Sequence, residues 1–141
     1  MTTKNVYEIL NEFSLVTTRS ERKEVLSKYN LHYFKEVLKY TFNPNYTFYV
    51  KEFPKNYIKP DTFPGIRYAG IDSEIRRTYL FLKGDPTADS LTPEKRDILL
   101  LQMLESFEPD EAVVFVNMMK KDLKVKGLTS SLVQEVYPEL F

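Results

Sequence analysis

The stretch Glu108-Pro109-Asp110-Glu111-Ala112-Val113-Val114-Phe115-Val116-Asn117-Met118-Met119-Lys120-Lys121-Asp122-Leu123 decides the fold class of this chain. Pro109 suits the first position of a helix, where a missing N–H costs nothing, and Asp110 and Glu111 favour its positive end. Ala112, Phe115 or Val116, Met119 and Leu123 recur at helical spacing, with Asn117, Lys120, Lys121 and Lys124 largely off that face. Gly127 stands where a helix C-cap is expected. Thr129, Ser130 or Ser131 caps a second, short helix carrying Leu132, Val133 and Val136, which must end near Pro138. The unit therefore reads as helix, lysine-rich turn and hydroxyl-capped helix. Free N–H groups at that second helix start, beside several lysines, make a physically sensible phosphate site.

The segments upstream read in the same way. Val6, Ile9, Leu10 and Phe13 mark a first amphipathic helix, ending in the region 14–18. Thr18-Arg19-Ser20-Glu21 is a capping box for a second helix through Val25 and Leu26. Asn30 ends that helix or caps a third, which runs from Leu31 to about Phe42 and is broken by Asn43-Pro44-Asn45. Asp72 or Ser73 caps a fourth, with Ile75, Tyr79 and Leu82 on one face and Gly84-Asp85-Pro86 as its stop. Thr92-Pro93-Glu94 opens a fifth, whose apolar run from Ile98 to Leu104 marks it as the most buried element. The expectation is one all-α domain over 1–141, with no internal repeat and no domain boundary.

Between Tyr46 and Tyr68 the helical period fails. Thr47-Phe48-Tyr49-Val50 reads as a short strand or an irregular turn, and Pro54, Pro60 and Pro64 exclude a long regular element after it. Lysines and aromatics interleave there, Lys51 and Lys55 among them. Two readings stand: a nucleic-acid contact surface, or a surface loop pinned to the core by its rings.

Composition narrows the function classes. Twenty basic and twenty acidic side chains cancel, which argues against a tight, purely electrostatic DNA binder while leaving room for a local basic face. The chain has no cysteine, so disulfides and zinc fingers are excluded. No apolar run approaches ~18 residues and no signal-peptide pattern opens the chain, so a soluble, cytoplasmic protein without a membrane partner is expected. Ten Tyr and ten Phe must mostly be core. The single histidine, His32, beside Tyr33 and Phe34, reads as a packing residue. No Walker loop, Gly-x-Gly-x-x-Gly or Gly-x-Ser-x-Gly is present, and the carboxylates that pair up flank helix starts, where capping explains them. No enzymatic chemistry and no cofactor are expected.

Met118-Met119-Lys120-Lys121-Asp122-Leu123, the glycine turn, the hydroxyl-rich short helix and Val136-Tyr137-Pro138-Glu139-Leu140 together resemble a known domain end. That domain is the N-terminal, all-helical DNA-binding domain of the ATP-dependent DNA ligases of T4-like phages. A second patch follows the same pattern: Val37-Leu38-Lys39-Tyr40-Thr41-Phe42, then Tyr46, Phe48, Tyr49, Val50, Lys51 and Phe53-Pro54. The resemblance implies a domain lying on the minor groove of duplex DNA beside a nick. It further implies that Lys120, Lys121, Lys124, Lys126, Gly127, Thr129, Ser130 and Ser131 carry phosphate contacts, with Lys51 and Lys55 as a second contact. The adenylation domain that follows in those ligases bears a Lys-x-Asp-Gly motif, which this chain does not contain; Lys83-Gly84-Asp85 has the letters in another order. The resemblance thus implies either a free-standing relative that keeps only the DNA-binding part or an excised piece of a ligase. The chain departs from the family in carrying Lys121-Asp122-Leu123 for Arg-Asp-Leu and Gln134-Glu135 where a polar-basic pair is expected. Glu135 and the zero net charge favour the alternative, a module that binds a replication or transcription protein.

Overall fold

A computed structural model describes residues 5–49 and 70–141. The described residues are helical, in an all-α arrangement without a sheet. The helices are α1 (Val6–Ser14), α2 (Arg19–Lys28), α3 (His32–Phe42), α4 (Ile71–Glu74), α5 (Pro86–Ser90), α6 (Pro93–Ser106), α7 (Pro109–Met119) and α8 (Ser130–Val136). A 3₁₀ helix, Ile75–Phe81, continues α4, and a 3₁₀ turn, Pro138–Leu140, follows α8.

The caps do what their residue types predict. Thr18 accepts the Glu21 N–H at 3.2 Å, and Thr92 accepts the Lys95 N–H at 3.2 Å. Thr129 accepts from Leu132 at 3.3 Å, so each helix start recovers an otherwise orphaned donor. α7 is the central beam. It packs on α1, α3 and α6, and its Ala112, Phe115 and Met118 are completely buried. Phe115 sits between Phe107, tilted at 5.2 Å, and Phe81, edge-on at 6.5 Å. α2 packs on α1 and α8, and the Tyr137 hydroxyl donates to the Leu26 carbonyl, closing the C-terminal end onto α2.

Several expectations are corrected. The fourth helix is capped by Gly70 rather than Asp72 or Ser73, and it tightens after one turn into a 3₁₀ helix. Its buried residues Ile75, Thr78 and Phe81 recur every three positions, while Tyr79 is 41% exposed. Asp85 and Pro86 start α5 instead of merely stopping the previous helix; the Asp85 carboxylate takes the Thr87 and Ala88 N–H groups. In α6, Ile98 is 56% exposed, and α7, not α6, is the more buried helix. α6 buries Arg96 instead, whose guanidinium lies 4.1 Å from the Tyr49 ring and donates to the Ala88 and Leu91 carbonyls. α3 is preceded by Leu31 at its cap position, and His32 is exposed at the first turn rather than packed. Phe48 and Leu82 form one isolated antiparallel bridge, which is all the strand character at 47–49. Lys51 and Lys55 lie outside the described residues.

One carboxylate ties three distant segments together. Glu111, completely buried on α7, accepts the N–H groups of Val6 at 3.2 Å, Tyr7 at 2.9 Å and Ile71 at 3.3 Å. It thus caps α1 and α4 from the side. Burial pushes its carboxyl above the ordinary value, and the three backbone donors pull it back down.

Candidate phosphate-binding face

The lysine-rich turn does not continue α7. The helix ends at Met119, and Gly127 is not its C-cap; Lys120 caps it, and Lys121 and Lys124 then adopt left-handed backbone, at φ 64° and φ 57°. Each conformation comes with a hydrogen-bond partner that fixes it. The Lys121 ammonium donates to the carbonyls of Tyr40 at 2.7 Å, Asn43 at 2.8 Å and Tyr46 at 2.6 Å, closing the C-terminal end of α3. The Lys124 N–H donates to the Asp122 carboxylate at 2.9 Å.

This arrangement scatters the residues expected to share one phosphate site. Lys121 is corrected from phosphate ligand to structural residue: all three of its donors are used by backbone, and desolvation lowers its pKa. Lys120 is exposed at the end of α7, in the same corner. Lys124 faces a groove between α1 and α7. Lys126, Gly127, Thr129, Ser130 and Ser131 stay together, and all but the half-buried Gly127 are exposed. Thr129 spends its lone pairs on the helix cap and lies 3.3 Å from the Ser131 hydroxyl.

What joins this second group is α2. Arg22 lies over Gly127, whose φ of 85° already suits only glycine; a Cβ there would stand 2.5 Å from the Arg22 guanidinium carbon. Arg19 and Lys23, one turn apart on α2 and flanking Arg22, reach across to Glu135 of α8 at 2.7 Å and 2.9 Å. Those two cations hold the Glu135 carboxyl below its ordinary range. Arg22 has no carboxylate or carbonyl acceptor among the described residues, and its Nε is shielded from solvent without a partner. That Nε–H is costly, because it has lost water and gained no acceptor in exchange. The sequence did carry the signal: Arg19, Arg22 and Lys23 stand at i, i+3 and i+4 of a helix that buries only Val25 and Leu26. Ordinary surface charge hides such a triplet.

Residues 9–125 match DUF6433, a family of unknown function. The chain belongs to the DUF6433 family. No curated protein matches it. The segment shared with DUF6433 runs from Ile9, within α1, to Val125, so the basic face of α2 and the structural Lys121 both fall within it. Among the described residues no group of three or more His, Cys, Asp or Glu is placed to hold a metal, and no helix is long and apolar enough to cross a membrane.

Proposed function

We propose that this chain is a non-catalytic module that binds duplex DNA through its phosphates, using the α2 face beside the Lys126–Ser131 turn. The observation that carries the reading is Arg22: a half-buried guanidinium, packed over Gly127, that lacks an acceptor among the described residues. A phosphate oxygen is the acceptor such a fork fits best, and Arg19, Lys23 and Lys126 border the same face. The resemblance of the 118–140 segment to the DNA-binding domain of T4-like phage ligases supports the same reading. Glu135 favours the second reading, a protein-binding module, because it already occupies two of the four cations.

The two readings part in a salt titration. Fluorescence anisotropy of intact and nicked duplexes should show micromolar or weaker binding that falls steeply with salt. Each phosphate contact contributes a slope of about −0.9 in log affinity against log salt, so two to four contacts give roughly −2 to −4. Arg22→Gln, which keeps the packed stem, should remove about one unit of that slope. Intact and nicked duplexes should differ little in sequence preference, since phosphate contacts position without reading bases. Absence of binding at low salt, or an Arg22→Gln slope equal to the wild type, would overturn the DNA reading and leave the protein-binding one.

A further inference from the structure

A separate surface on α1 and α7 has the opposite electrostatic character. A groove of about 340 Å³ runs between these helices and the 123–125 turn, lined among others by Tyr7, Leu10, Val113, Val114, Leu123 and Val125. Leu10, Val114 and Leu123 form a floor that belongs to the core, at 6%, 7% and 6% exposure. Val113 does not: it is 52% exposed on α7, a branched apolar side chain on the wall of the groove.

The charges around it are asymmetric. Asp110 lines the groove at the start of α7, and Glu108 and Glu8 stand close enough for their fields to act on the lining Tyr7. None of the three carboxylates has an ion-pair partner among the described residues; there Glu8 accepts the Asn5 N–H, and Glu108 accepts backbone N–H groups of Glu111 and Asp110. Burial, and then the field of Asp110, raises the Glu108 carboxyl above its ordinary value, and burial, and then Glu108, raises the Tyr7 phenol. Among the described residues, the groove therefore offers negative charge without an ion-pair partner at its α7 end. Lys124 lines it as the one cation among its described walls.

We propose that the α1–α7 groove is a docking site for a basic amphipathic segment of a partner protein. An apolar side chain of that segment would cover Val113 and rest on the Leu10–Val114–Leu123 floor. Its lysines or arginines would meet Asp110, Glu108 and Glu8. Nucleic acid and anionic lipid are disfavoured here, because the same carboxylates repel phosphate. The inference is independent of the DNA reading, since it uses none of the α2 residues.

A displayed library of random twelve-residue peptides, selected against the whole chain, tests it. Selected peptides should combine Lys or Arg with one or two large apolar residues at helical spacing. Synthetic copies should lose at least about tenfold in affinity to Val113→Asp, and about threefold to tenfold to Asp110→Lys. Both positions are exposed, so the fold should persist, and circular dichroism checks this. Ile98→Asp, an equally exposed apolar position on α6, should leave affinity unchanged, as should Arg22→Gln. Enrichment of acidic or uncharged peptides, failure to enrich any peptide, or full affinity for Val113→Asp overturns the proposal.

Discussion

Replacing Glu111 should be among the most damaging single changes this chain can suffer. In Glu111→Ala, the N–H groups of Val6, Tyr7 and Ile71 lose their acceptor together. Leaving a buried donor unsatisfied costs roughly 1–3 kcal/mol, and water entering the vacated space recovers part of it, so about 3–6 kcal/mol is expected. Net stability of a domain is only about 5–15 kcal/mol, so the variant should be close to unfolding. Glu111→Gln separates charge from shape. Its carbonyl oxygen can keep Val6 and Ile71, which share Oε1, but its amide then faces the Tyr7 N–H, donor against donor. About 2 kcal/mol should be lost, the worth of one hydrogen bond to a charged acceptor. Urea denaturation followed by circular dichroism measures both. The pH dependence adds a sign. Because burial raises the Glu111 carboxyl in the folded state, its contribution is fully present below the unfolded value of 4.5 and is lost as pH rises through the folded value. The stability gap between wild type and Glu111→Gln should therefore widen as pH falls from about 7 towards about 5. An alanine variant within about 1 kcal/mol of wild type would refute the account of Glu111 as the common cap of α1 and α4.

Two other perturbations separate structure from binding. Lys121→Met should cost about 2–4 kcal/mol, because three carbonyls at the end of α3 lose their donor, while the duplex affinity of the folded fraction changes less than about twofold. Glu135→Gln should do the reverse: it frees Arg19 and Lys23, so duplex affinity should rise and the salt slope steepen, with little change in the urea midpoint because the pair is exposed. A Glu135→Gln affinity equal to the wild type would show that this face does not meet phosphate.

Much of the architecture was legible because capping chemistry is local. Thr18, Thr92, Thr129 and Pro109 each mark a helix start within a few residues of the element they serve. The segment after Gly70 reads differently in sequence and structure because its buried residues follow the period of three of a 3₁₀ helix, where an α-helical reading places Tyr79 and Leu82 on the buried face. The end of α7 departs from the sequence expectation for a different reason. Lysine is a good helix former, so nothing local announces that Lys121 and Lys124 turn left-handed; the cause of the first lies in carbonyls 75–81 residues away in the chain. The candidate site was half legible. The 126–131 turn is legible as glycine and hydroxyls, but its partner, α2, comes to it only in the tertiary structure, where Arg22 packs over Gly127 and α2 packs on α8.

The position of Lys121 bears on how relatives of this chain should be compared. Three carbonyls converge on a single ammonium there, a geometry that suits a compact cation with three donors pointing outward. Arginine offers a flat fork and a longer reach, which phosphate sites welcome and this corner does not. A column of an alignment that holds lysine at this position and rejects arginine would thus record the closure of α3. It would look, letter for letter, like a nucleic-acid contact. Free exchange between the two bases is the pattern to seek at Arg19 and Lys23, where solvent gives either side chain room to turn.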